Sequence, residues 1–311
     1  MASNHGSTRA LEAKAGIARN RGAQGHVARM SYENPPVPHE VNVSRESTLA
    51  QFLRLCAGLA VVIALASAVL WVAGGWLARL VPYSTERSMV GTRVFGLDLL
   101  GEGDADGDPA DHARIEAYLQ SLASRLGAVM ELPEGMAPIA HFAEADLPNA
   151  FATLGGHLIV TRGLYRRMPS ENALALVLAH EIGHLRARDP ISAIGSGASV
   201  ALLMALLAGD GHALLPQFAR LVTLGYSRQV ERRADDAALE AVIALYGHAR
   251  GSEAVFRILA EHRGPAGLGE GPTLFSTHPA DAARIARMEA AAAAAGADAV
   301  LTPLQVAARE P

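Results

Sequence analysis

The hydrophobic pattern of this chain changes character several times, and each change marks an element. From Leu55 to Ala78 it runs for 24 residues without a charge, "LCAGLAVVIALASAVLWVAGGWLA". As a helix this stretch reaches about 36 Å at 1.5 Å per residue, more than the roughly 30 Å hydrocarbon core of a bilayer. Trp71 and Trp76 near one end suit the aromatic belt of a membrane–water interface. The pattern predicts one membrane-crossing anchor helix over 52–80, touching lipid through 55–78. It is too long, and too far from the N-terminus, for a cleaved signal peptide. Residues 1–48 show no sustained periodicity, and three prolines in "YENPPVPHEVN" exclude a helix there, so the tail reads as disordered. Residues 81–110 read as a connector.

Beyond the connector the periods are those of a mixed domain over 111–311. "DHARIEAYLQSLASRLG" (111–127) places Ile115, Leu119, Leu122 and Leu126 on one helical stripe. "PIAHFAEAD" (138–146) reads as a strand, and "NAFATLGGHLIVTRGLY" (149–165) as a hairpin turning at Gly155-Gly156. Ser170 is an N-cap with Glu171 in the first turn, and the helix that follows should be closed by Pro190. Residues 191–209 are again apolar and uncharged. Asp210, Pro216 and Arg220 make the next segment a poor second membrane arm, which favours a buried or membrane-surface helix over a crossing. Further helices are expected from Ser227 to Tyr246 and from Pro279 to near Gly296. The fold class is therefore α+β and mostly helical, with a small edge hairpin or sheet behind one transmembrane helix.

Charge and composition narrow the partners. A net charge of −4 is too mild to argue for nucleic acid. Cys56 is the only cysteine, so an intramolecular disulfide and a thiolate-rich zinc site are both excluded. Seven basic residues up to Arg54 favour a cytoplasmic N-terminus, while close to the span Arg45 and Arg54 are balanced by Arg79, Arg87 and Arg93, so charge alone does not fix the side. The expectation is a single-pass protein of the bacterial inner membrane with a periplasmic catalytic domain. The acidic run "DLLGEGDADGDPAD" (98–111) has a calcium-loop start at Asp104. Pro109 stands where the loop needs glycine and Ile115 where it needs glutamate, so it is a solvated loop.

The chemistry centres on "LVLAHEIGHLRARDP" (176–190). His180 and His184 lie at i and i+4, on one helix face, where two imidazoles can reach one cation. Glu181, one step round the helix, is placed to act as a base on water. A third ligand must come from elsewhere. Ala187 and Pro190 stand where a metzincin carries Gly and His. A later helix, "YSRQVERRADDAALE" (226–240), offers Glu231 and, one turn on, Asp235. One carboxylate can bind zinc and the other can accept the outer N–H of a liganding histidine. Without the histidine pair, the same carboxylates would be an ordinary solvated helix face.

Four motifs in order, "NAFATLGGHLIVTRGL", "HEIGH", "ERRAD" and "STHPADAARIARM", run from about Asn149 to Met288. In these the chain resembles the zinc endopeptidases that include the HtpX heat-shock protease and the CAAX prenyl endopeptidase. The resemblance implies a zincin-like catalytic domain and one zinc ion per chain, bound by His180, His184 and Glu231. It implies Glu181 as general base and Asp235 behind the ligands. It places His278 and Arg284 at the site, polarising the scissile carbonyl, and Asn149, Ala150 and Phe151 along the substrate cleft. His278 has two possible jobs, donating to the oxyanion, which is favoured, or filling zinc's fourth position. The expected function is membrane-anchored endopeptidase action on polypeptides in membrane or envelope quality control. The rivals are an idle zinc-stabilised chaperone and a non-peptidase zinc hydrolase.

Overall fold

The computed structural model describes residues 47–90, 108–208, 226–261, 278, 282–296 and 298–305. The tail as far as residue 46, and most of the acidic connector, lie outside the described residues. The chain divides into two units, Met1–Arg54 and Leu55–Pro311. The packing below is that of the second.

Helix α1 (Thr48–Ala78) contains the whole apolar run, and large side chains such as Leu59, Val62, Leu65 and Val69 are exposed along it. The connector contains a helix that the sequence did not announce, α2 (Tyr83–Val90). Its sequence, "YSTERSMV", has no apolar period of its own and is fixed by what it touches. Helix α3 (Pro109–Val129) starts where local chemistry dictates. Asp108 caps it by accepting from the Ala110 N–H at 2.9 Å, and Pro109 occupies a position that needs no donor. Its buried stripe holds the four predicted residues, joined by Tyr118 and Ala123.

Three strands follow, β1 (Ile139–Ala143), β2 (Ala150–Ala152) and β3 (His157–Thr161), in the order β1-β3-β2. β1 runs parallel to β3, and β2 pairs antiparallel with β3, Phe151 opposite Ile159. The predicted hairpin is thus β2–β3. It turns through a 3-10 segment, Leu154–Gly156, whose two glycines take φ of 74° and 87°, a region other residues avoid. Ala140, Phe142, Ala150, Leu158 and Val160 face the main core with α3 and α5.

A short helix α4 (Arg162–Tyr165) leads to α5 (Glu171–Arg186), capped as expected by Ser170 and buried from Glu171 to Leu185. Buried Glu171 accepts from Tyr118 Oη at 2.6 Å, Tyr246 Oη at 2.8 Å and Arg125 Nη1 at 2.9 Å. That one carboxylate joins α3, α5 and α7 (Arg228–Tyr246). Next to it, Thr302 pairs with the Glu171 N–H and with Asn172 Oδ1, which pins the C-terminal segment. Helices α8 (Ser252–Glu261) and α9 (Ala282–Ala293) complete the body. Residues 279–281, where α9 was expected to begin, lie outside the described residues.

Two expectations are corrected. Pro190 does not close α5. That helix ends at Arg186, Arg188 reverses the chain at φ 61°, and α6 (Asp189–Ala208) starts at once with Pro190 in its first turn, where a missing N–H costs nothing. Of the two readings offered for α6, full burial does not hold, since Leu202, Leu206 and Leu207 are exposed. Among the described residues, α1 and α6 are both long and apolar enough to cross a membrane.

Candidate metal centre

The centre is built where α5 and α7 cross. Gly183, between the two histidines, makes the crossing close, since a Cβ there would lie 3.3 Å from Ala234 Cα. Ser227 caps α7, its hydroxyl accepting from the Val230 N–H. That start sets Glu231 and Asp235 one turn apart on the face toward α5, and both are buried.

His180, His184, Glu231 and His278 are all buried and offer four donor atoms within 4.8 Å of one another. His180 Nε2 lies 3.1 Å from His184 Nε2 and 3.3 Å from His278 Nδ1. Glu231 Oε1 lies 2.9 Å from His278 Nδ1 and 3.7 Å from His184 Nε2. A tetrahedron with zinc–nitrogen bonds of about 2.0–2.1 Å has edges of about 3.3–3.4 Å, so the spacing matches a single tetrahedral ion.

The outer nitrogens explain why the inner ones are available. His184 donates its Nδ1–H to Asp189 Oδ2 at 2.9 Å, and His180 Nδ1 lies 3.0 Å from Asp235 Oδ1. With those protons fixed outward, the two Nε2 lone pairs face each other in the interior, an arrangement that repels unless a positive charge sits between them. The surrounding carboxylates favour a positive charge at this spot. Burial alone would push His180 down, but hydrogen bonds to Asp235 and Glu231 outweigh it and its pKa is pushed up to about 9. Burial pushes His184 down. Burial would raise Glu231 as well, yet hydrogen bonds from His180 and His278 hold it well below the usual carboxylate range. Three imidazoles and one carboxylate, buried and converging, fit a zinc ion.

Glu181 stands beside this cluster with its two oxygens in different states. Oε2 accepts the Ala152 N–H at 2.8 Å. Oε1 makes no hydrogen bond among the described residues and lies 3.4 Å from His278 Nε2. Ala152 reaches Glu181 because strand pairing alternates. Thr153 and Asn149 pair with His157 and Thr161 of β3, which turns the backbone groups of Ala150 and Ala152 to the free edge of the sheet. Ala150 and Phe151 thus lie on the edge strand beside Glu181, and Asn149 directly precedes it.

Arg284 differs from expectation. It was placed beside the scissile carbonyl. Instead its Nε and Nη2 grip Asp235 at 2.7 and 2.8 Å, and Nη1 lies 2.7 Å from Glu231 Oε2, all buried. Two residues escaped the sequence reading. Asp189, five positions after His184, holds that histidine and is itself held by Arg233 at 2.8 Å. Tyr226, directly before the α7 cap, stacks on His184 with ring centroids 4.3 Å apart and planes at 17°. An acid just past the histidine helix, and an aromatic just before the carboxylate helix, are the signals that could have marked them.

Comparison with known proteins meets this geometry. The stretch matched to Peptidase family M48 is 109–292, more than half of the chain. Over 112 residues the chain is 35% identical to the protease HtpX homolog of Thermoplasma acidophilum, covering 35% of this chain and 31% of that protein. It is 28% identical over 155 residues to the mitochondrial metalloendopeptidase OMA1 of Schizosaccharomyces pombe, 48% of this chain and 45% of that one. It is 30% identical over 136 residues to the beta-barrel assembly-enhancing protease of Escherichia coli, 39% of this chain and 28% of that one. The chain thus spans less than half the length of each of these relatives. The matched stretch contains all four donors, Glu181 and the edge strand, and the chain belongs to Peptidase family M48.

Proposed function

We propose that this chain is a membrane-anchored zinc endopeptidase that hydrolyses extended polypeptide segments close to the bilayer, in the quality control of membrane or envelope proteins. The observation that carries the reading is the pairing of four buried converging donors with an adjacent carboxylate that has one oxygen held and one oxygen open. His180, His184 and Glu231 hold the ion. When bound, zinc supplies a Lewis acid that polarises the substrate carbonyl and makes water acidic near neutral pH.

The chain's own residues do the rest. The Ala152 N–H fixes Glu181 through Oε2, so Oε1 takes the proton from the attacking water and returns it to the leaving amine. The edge groups that remain, those of Ala150 and the Ala152 carbonyl, pair with the substrate backbone as an added strand. Asp189 and Asp235 keep the ligand imidazoles in one tautomer, and Arg284 keeps Glu231 and Asp235 in place. His278, with Nδ1 among the donors, fits the fourth position of a resting site better than a free oxyanion donor.

The membrane reading extends to α6. Its small residues meet α1 closely: Ser196 Oγ donates to Trp71 O at 2.7 Å, and a Cβ on Gly195 would lie 2.5 Å from Gly74 O. The contacts run in opposite order along the two helices, and Arg79 pairs with Asp189 where they start to diverge in sequence. A seam of small residues and an outer row of exposed leucines suit a second membrane-inserted leg better than a surface helix.

Full-length protein in nanodiscs, given an unfolded polypeptide and a fluorogenic peptide, should cleave both, lose activity to a chelator and regain it with zinc. Intact substrates with the metal bound would sink the reading.

A further inference from the structure

The hairpin that carries the free edge is not held by the catalytic body alone. Its turn is clamped by α2, which lies outside the stretch matched to the family. The peptide groups of Gly155 are gripped on both sides. Its N–H donates to Glu86 Oε1 at 2.9 Å, and its carbonyl accepts from Tyr83 Oη at 2.8 Å. Glu86 is buried at 4% exposure, although it is a carboxylate on a short polar helix. Its second oxygen lies 2.9 Å from Arg188 Nη2, and Arg188 also donates to Val81 O at 2.6 Å. Arg188 is the residue that reverses the chain just after the His180–His184 helix, at φ 61°. Beneath these polar contacts, Val90 of α2, Leu154 of the turn and Ile191 of α6 form a small apolar cluster, joined by Ala78 and Val81.

The chain of contacts therefore runs from the end of the anchor to the base. From five positions after α1, Tyr83 and then Glu86 fix Gly155. Three residues before Gly155, the N–H of Ala152 fixes Glu181. The intervening Thr153 is locked to His157 O at 2.8 Å, which leaves little slack between clamp and base. A carboxylate buried only to serve the fold would be an expensive choice, since one buried backbone donor can be satisfied by a neutral acceptor. Here it is balanced by an arginine drawn from the helix junction of the metal centre, so one ion pair ties anchor, turn and centre together.

We infer that Glu86 is a positioning residue for the proposed peptidase: it sets the substrate-edge strand, and through Ala152 the base, from the membrane-proximal segment of the chain. This rests on the proposed function for its kinetic consequence and not for its structural one.

The test uses full-length protein in nanodiscs and three variants. Glu86→Ala leaves the buried Gly155 N–H without its acceptor, Tyr83→Phe removes only the bond to the Gly155 carbonyl, and Glu86→Gln keeps an acceptor but not the charge. Hydrogen exchange should show the β2 and turn amides of Glu86→Ala exchanging about ten-fold faster, with α5 and α7 amides and metal content unchanged. KM for an extended peptide should rise about ten-fold and kcat fall less. Tyr83→Phe should move both readouts the same way by less, and Glu86→Gln should restore most of each. Unchanged exchange in β2 in a folded Glu86→Ala protein overturns the inference, as does an effect spread evenly over α5 and α7. If wild-type protein cleaves nothing while β2 loosens as expected, the peptidase reading fails and the clamp stands.

Discussion

Asp189 offers the sharpest quantitative test of how the metal centre is held, because it touches His184 and never the ion. Asp189→Ala removes the acceptor of the His184 Nδ1–H, now 2.9 Å away, on an imidazole that is 0% exposed. With the ring buried, that carboxylate is the proton's acceptor in the fold. A buried donor left unsatisfied costs about 1–3 kcal/mol. The imidazole can escape that cost by moving its proton to Nε2, but it then ceases to be a ligand, so the cost appears as lost metal affinity. At about 1.4 kcal/mol per factor of ten, the expected weakening is about 10- to 100-fold, the range found when partners behind metal-bound histidines are removed. Arg233 and Arg79 also lose a partner, but their side chains are 51% and 40% exposed, so solvent compensates them. The assay is competitive zinc titration against a chromophoric chelator, with thermal unfolding as a control for the fold. A variant that is folded and binds zinc within two-fold of wild type would refute the tautomer argument.

Four further outcomes follow from the same geometry. Glu231→Ala should cost more zinc affinity than Asp235→Ala in that titration, and the reverse order would exchange their roles. His278→Ala should weaken zinc binding modestly and raise turnover of a small peptide if His278 fills the fourth position. A fall of about 100-fold in kcat with zinc retained would return it to the oxyanion. Gly183→Val should destabilise the fold by about 1–3 kcal/mol in thermal denaturation, because the new side chain meets the Ala234 backbone. Glu171 supplies a pH test remote from the metal. Burial would raise its pKa, but hydrogen bonds from Tyr118, Tyr246 and Arg125 hold it below its ordinary value of 4.5. A depressed carboxylate stabilises the fold above its unfolded pKa and loses that contribution as pH falls through the folded value. Wild type should therefore lose stability as acid is added below about pH 4.5, and Glu171→Gln should lose less over the same window.

What the sequence made legible is what local chemistry decides. Ser170 announces a helix start by its own hydrogen-bonding habit and caps α5 as expected, and the helix expected from Ser227 has Ser227 as its cap; Asp108 and Pro109, read as part of an acidic loop, instead open α3. The His180–His184 pair and the Glu231–Asp235 pair were readable because helical spacing alone puts each on one face. Their meeting was not readable from either helix; it depends on the absence of a side chain at Gly183. Pro190 was misread because the same residue that ends one helix can open the next, and the deciding feature is the left-handed turn at Arg188. Helix α2 was missed because it has no period of its own, and its two functional side chains are defined by a glycine turn some seventy positions away. Asp189 and Tyr226 act through His184, and their places beside the two helix ends are only a faint sequence signal that the tertiary contacts make plain. Arg284, placed at the site by the family resemblance, has its three nitrogens engaged with the two carboxylates of α7, a contact no local pattern announces.

The central claim is that the chain is a zinc endopeptidase in which Glu181 moves protons and does not hold the metal. Parallel metal analysis and peptide turnover on wild type and Glu181→Gln test it most directly, because the substitution keeps size and shape while removing the base. The expected result is one zinc per chain in both proteins and hydrolysis in the wild type alone. Hydrolysis that survives in Glu181→Gln, or zinc that is lost together with activity, would contradict the account.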